Sequence, residues 1–148
     1  MRIACIILLS WVLVVPAMSQ TELPAGWRPI RNQKGASLRI DFDGDGRLDQ
    51  AVLATDGHKR KAFAILAQQQ GRRVTELMEC GDTAGSCLLQ ILPPGRYVTV
   101  CGKQLVECNG SPEEIVSKTP LLSMMINESI TVVFMLRGSD VQRIWLTD

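Results

Sequence analysis

The segment DFDGDGRLDQAVL, residues 41–53, places carboxylates at its first, third, fifth and ninth positions: Asp41, Asp43, Asp45 and Asp49. Gly44 and Gly46 between them allow the backbone to curl tightly. Arg47, at the seventh position, offers a main-chain carbonyl. Four carboxylates this close repel one another unless a cation or solvent compensates them. A hard cation such as Ca²⁺ takes about six to eight oxygens at about 2.3–2.6 Å. Alternate residues of a tight loop can turn such oxygens towards one point. The competing reading is a solvated Asp-Gly turn, which a single Asp-Gly pair usually is.

The spacing does not complete an EF-hand. Its twelfth position is Val52, where that loop requires a bidentate Glu. No helical pattern flanks it; LRI leads in and QAVLA leads out, both strand-like. In these residues the chain resembles the calcium loop of FG-GAP/VCBS-type repeats. That resemblance implies a strand, an aspartate loop and a second strand, with calcium in the turn. It also implies Asp41, Asp43, Asp45, the Arg47 carbonyl and Asp49 as ligands. It covers only about residues 38–54 and occurs once. A propeller needs roughly four blades or more, and the chain is too short for them, so propeller-borne adhesion does not transfer. In overall plan the sequence is similar to small exported bacterial proteins that carry one such loop.

Other residues offer less chemistry. His58, the single histidine, sits in TDGHKRK among three cations, the setting of an exposed turn. No G-x-S-x-G, H-E-x-x-H or C-x-x-C occurs. Glu113-Glu114 could in principle serve as acid or base, but acidity at a helix start explains them more simply. Of the five cysteines, Cys5 lies in the apolar N-terminal run without a lipobox. The other four, Cys80, Cys87, Cys101 and Cys108, are even in number, which in an exported chain reads as two disulfides. Neither spacer has the two-to-four-residue length typical of structural zinc sites. Local pairing is expected, with a nested scheme as its rival. The local one is Cys80–Cys87 and Cys101–Cys108, with Gly81, Gly85 and Gly102 easing closure. The nested one is Cys87–Cys101 and Cys80–Cys108, folded about Pro93-Pro94-Gly95.

The elements that must position these residues are mostly strands. Met1-Arg2 followed by an apolar run to Pro16, then Ala17 and Ser19, matches a secretory signal peptide over residues 1–19. The run is short of the ~20 residues of a spanning helix, so no transmembrane segment is expected in the mature chain. Loss of Arg2 takes the 16 basic residues to 15, equal to the 15 acidic ones. A near-neutral chain lacks the basic face that nucleic-acid binding requires. Lys59-Arg60-Lys61 and Arg72-Arg73 read as solvated turn charges.

Residues 20–37 read as an irregular lead-in, with Trp27 covering an edge of the core, and 38–148 as one calcium-loop β domain. Leu38, Ile40 and Phe42 alternate with polar partners. QAVLATD is a second strand ending at Asp56-Gly57. KAFAILAQQQG is ambiguous between helix and strand; with RRVTELMEC it favours a hairpin. CLLQILPPGRYVTVC reads as two strands reversed at Pro93-Pro94-Gly95. SPEEIVSKTP has capping-box spacing from Ser111 to Glu114, with Pro120 limiting any helix to about two turns. From LLSMMI onward the pattern is a meander, and SITVVFML, apolar on both faces, should be a central strand. The fold class expected is therefore mainly β, with antiparallel hairpins, a C-terminal meander and at most one or two short helices.

Two functions from different classes follow. One is an exported, periplasmic or secreted, non-enzymatic calcium-stabilised module that binds a protein or envelope component, in the manner of an inhibitor or immunity factor. The other is a small carboxylate-dependent hydrolase of the cell envelope. The scarcity of aromatics and histidine favours the first. The sequons Asn109-Gly110-Ser111 and Asn127-Glu128-Ser129 matter only if the source glycosylates.

Overall fold

The structure is a computed structural model that describes residues 23–82, 86–104, 108, 111–138 and 140–146. Residues 1–19, where a signal peptide is expected, Gly85 and most of the Asn109 sequon lie outside the described residues. Among the described residues eleven strands are formed: β1 (Arg28–Pro29), β2 (Ser37–Ile40), β3 (Asp49–Thr55), β4 (Lys59–Ala67), β5 (Arg72–Asp82), β6 (Cys87–Leu92), β7 (Gly95–Val98), β8 (Glu114–Ser117), β9 (Leu121–Ile126), β10 (Ile130–Arg137) and β11 (Asp140–Leu146). Every pairing is antiparallel, and no helix occurs among the described residues.

Two sheets pack face to face. The first has the order β1-β3-β4-β5, with β2 also paired to β3; the second runs β11-β10-β9-β6. Their shared core takes Ala51, Leu53, Ala62, Ala64, Leu66 and Leu77 from the first sheet. From the second it takes Leu89, Leu122, Met124, Val132 and Phe134. Alternate residues of β3 and β4 face the other way: Val52, Ala54, Phe63 and Ile65 pack with Leu23, Trp27 and Val74. Both faces of these strands are therefore buried, which is why KAFAILA reads as an unbroken apolar run yet forms a strand. The lead-in is less irregular than its composition suggests. It supplies β1, and the Leu89 amide donates to the Gly35 carbonyl at 2.8 Å, tying the lead-in to β6.

The sheets are also joined at their other side. Arg143 Nε donates to the Leu77 carbonyl (2.6 Å), and Arg73 Nη2 donates to the Gly138 carbonyl, so side chains from β5 and β11 bridge the two edges. β10 is interior to its sheet, as its two apolar faces require.

Two local expectations are corrected. Pro93-Pro94-Gly95 does not fold β6 back on β7. β6 pairs with β9 and β7 with β8. The bend instead carries the chain to the outer face of the second sheet, where Tyr97 and Ile115 cover Val133, Ile144 and Leu146. The Tyr97 hydroxyl donates back to the Pro93 carbonyl at 2.5 Å and holds the bend. The second correction is SPEEIVSKTP, which forms β8 rather than a short helix. At most two turns of isolated helix are marginal in water. Pairing with β7 and burial of Ile115, 4% exposed, are more favourable there.

Candidate metal centre

The aspartate loop is the connection of a hairpin. β2 and β3 pair from Ser37↔Val52 to Ile40↔Asp49, so Asp41 leaves the last rung and Asp49 re-enters at it. That register brings the first and last carboxylates of the loop together although seven residues lie between them. Gly44 and Gly46 take φ of +78° and +84°. L-residues with a side chain rarely adopt that conformation, and here it lets the loop amides turn inward.

Those amides satisfy the carboxylates in order. Asp41 Oδ1 accepts from Gly44 N (2.7 Å) and Asp45 N (3.1 Å), and Asp41 Oδ2 from Gly46 N (2.9 Å). Asp43 Oδ1 accepts from Asp45 N at 3.2 Å. Asp45 Oδ1 accepts from Arg47 N, and its Oδ2 pairs with the Arg47 guanidinium, both at 2.8 Å. Asp49 is only 1% exposed. Its Oδ2 accepts from Phe42 N (2.9 Å) and its Oδ1 from Ala67 N (2.8 Å), so it fastens the loop to the end of β4. Burial raises the Asp49 pKa above 3.8; the Ala67 and Phe42 amides pull the other way, and the charges of Asp43 and Asp45 add to the rise.

Asp41, Asp43 and Asp49 each place a carboxylate oxygen within 4.8 Å of the others. Oxygens on opposite sides of a calcium ion stand about 4.6–5.2 Å apart, twice the metal–oxygen distance. The three can therefore share one ion. Asp45 is not in this group; its carboxylate is turned to Arg47. Of the five ligands the resemblance implies, three carboxylates converge and the remaining two residues are engaged with each other. The donor set is all oxygen, which suits a hard cation and not a thiolate- or imidazole-seeking one.

The other singled-out residues lie elsewhere. His58 is exposed in the β3–β4 turn. Lys59 pairs with Glu79 and Lys61 with Glu76 across β4–β5, both at 2.9 Å, and Lys61 Nζ lies 5.2 Å from the Trp27 ring centre. The basic cluster is thus largely neutralised by its own sheet. Glu114 is held by Arg96 at 2.8 Å on the β7–β8 ribbon. The cysteines pair locally, Cys80 with Cys87 and Cys101 with Cys108, at Cα separations of 6.1 and 5.2 Å. The first bond joins the end of β5 to the start of β6 and so links the two sheets. The second closes the β7–β8 connection. No helix among the described residues is long and apolar enough to cross a membrane.

Sequence reasoning missed the clamp made by Asp49. Its partner Ala67 is 18 residues away and contributes only a backbone amide, so no side-chain pattern marks it.

Comparison of the chain with protein-family models, with curated proteins and with solved structures returns no match.

Proposed function

We propose that this chain is an exported, periplasmic or secreted, non-enzymatic binding module whose aspartate loop is stabilised by calcium, and that it acts on a protein or envelope component. The observation that supports the loop reading is the convergence of Asp41, Asp43 and Asp49 on a hairpin turn whose backbone amides already hold the carboxylates in place. Asp41, Asp43 and Asp49 hold the ion. Asp45 and the Arg47 carbonyl complete the set once Asp45 exchanges its guanidinium partner. The ion supplies positive charge where burial and neighbouring aspartates disfavour ionised Asp49. Two disulfides within a small chain support an oxidising compartment.

Calcium acts on stability. Extracellular sites bind at about 10⁻⁴–10⁻³ M, so free calcium near ~1 mM contributes roughly 0.4–1.4 kcal/mol. Melting curves with excess calcium and with chelator test this. A calcium-dependent rise in Tm is expected for the wild type. Asp41→Ala and Asp43→Ala should remove most of it, and Asp45→Ala less. Superimposable wild-type curves would leave the loop a charged turn.

A further inference from the structure

Two clefts lie along β8 and the turn that follows it. The first, of about 370 Å³, lies between the aspartate loop and β9–β10. Phe42, Pro120, Leu121 and Leu136 give it an apolar floor, and among the described residues Asp41 and Asp43 are the only charged ones that line it. The second, of about 420 Å³, is lined in part by Val116, Ile144 and Arg137. Met135 lines both. Glu114, Ile115 and Val116 of β8 line the second cleft and Ser117, its last residue, lines the first, so the two clefts follow one another along β8. β8 pairs with β7 alone, which leaves one of its edges without a strand among the described residues. Val116, on this strand, is 65% exposed.

We infer that this track holds an extended segment of a partner protein in which aliphatic residues alternate with lysine. An unpaired strand edge offers main-chain hydrogen bonds to an extended peptide, and pockets beside it select alternate side chains. In such a peptide, residues two apart point the same way, about 6.6 Å from each other. Aliphatic side chains on one side fill the clefts on either side of Met135. A lysine near the loop, on the other side of the peptide, bends its apolar stem over the cleft rim and sets its ammonium beside Asp41 and the exposed Asp43. An acidic segment meets two carboxylates there and is repelled. The inference rests on the binding-module reading and does not require calcium. Because lysine and calcium would draw on the same two carboxylates, each weakens the other's binding by the same factor.

The test uses fluorescein-labelled Leu-Lys-Leu-Lys-Leu-Lys, titrated against the full chain in chelator and read by anisotropy. The peptides Leu-Glu-Leu-Glu-Leu-Glu and Ser-Lys-Ser-Lys-Ser-Lys serve as comparisons. Saturable binding of the first is expected, with each comparison peptide weaker by roughly tenfold or more, a difference of about 1.4 kcal/mol. Asp43→Asn, an exposed change, should weaken it about threefold to tenfold. Leu136→Gln should do so as well, in protein whose melting curve shows it folded. Added calcium should weaken the peptide for the wild type. Equal binding of the glutamate peptide or indifference to Asp43→Asn overturns the inference, as does a peptide affinity unmoved by calcium that calorimetry shows to be bound. Calcium binding is titrated separately by calorimetry without peptide. Calcium heat without peptide binding defeats the docking track alone, and peptide binding without calcium heat defeats the metal reading alone.

Discussion

Asp49 carries two roles that point in opposite directions. As an ionised group it is disfavoured by its burial. As an acceptor it satisfies two backbone amides, Phe42 N and Ala67 N, one on each oxygen. Asparagine has a single carbonyl oxygen and would present its NH₂ to one of those donors. Asp49→Asn should therefore destabilise the metal-free protein by about 1–3 kcal/mol, the cost of one unsatisfied polar group. The exposed Asp43→Asn should cost far less; chemical denaturation in chelator compares them. An equal loss for both would mean the clamp contributes nothing. Asp56 shows the simpler case. The Lys59 amide, then the His58 amide, hold its carboxyl below the usual value of 3.8. A depressed folded pKa contributes stability that is present above the unfolded value and is lost as pH falls through the folded one. The stability difference between wild type and the non-titrating Asp56→Asn should shrink as pH drops below 3.8. A pH-independent difference would contradict that role.

At the scale of elements, the decisive feature is the β7–β8 ribbon laid on the outer face of the second sheet. It depends on a close approach at Gly102. A Cβ added there would fall on the Glu113 carbonyl oxygen. That same oxygen accepts from Thr99 N and Thr99 Oγ1, both at 3.1 Å. Gly102→Ala should push the ribbon off its seat and destabilise the protein by about 1–3 kcal/mol, as overpacking does. The aspartate loop lies on a different hairpin, so the calcium-dependent rise in Tm should be kept. Thermal melting of this variant with and without calcium checks both parts. The capping-box spacing of Ser111 to Glu114 was a valid local signal that lost to this seat. Ile115 gains more from burial than two helical turns could gain from their caps.

For the whole molecule, the sandwich is held on three counts: the shared apolar core, the arginine bridges from β5 to β11 and to the turn before it, and the Cys80–Cys87 bond between sheets. Cys80 and Cys87 are themselves core residues. In the chain-entropy model a loop of about eight residues contributes about 2.5 kcal/mol. The double variant Cys80→Ala/Cys87→Ala should lose roughly that much, plus a small packing loss. Its effect should exceed that of Cys101→Ala/Cys108→Ala, because only the first bond ties sheet to sheet. Denaturant midpoints decide, and the reverse ranking would place the weight on the ribbon.

What the sequence determined by itself was whatever short-range pattern controls. Alternation and apolar runs set the strands β2 to β5 and the meander β9 to β11. The odd-position aspartates with Gly44 and Gly46 marked a loop where carboxylate oxygens gather. The glycines that flank the cysteines agreed with local pairing. Tertiary structure decided what depends on partners distant in the chain. β6 chose β9 over the adjacent β7 because Leu89 reaches Leu122 and Met124 in the shared core. SPEEIVSKTP became a strand because an outer sheet face needed cover. Within the loop, Asp45 turned to Arg47, while Asp49 was drawn inward by an amide on β4. No spacing rule records a bond to a backbone group 18 residues away, and that bond is what separates the buried carboxylate from the three exposed or half-exposed ones.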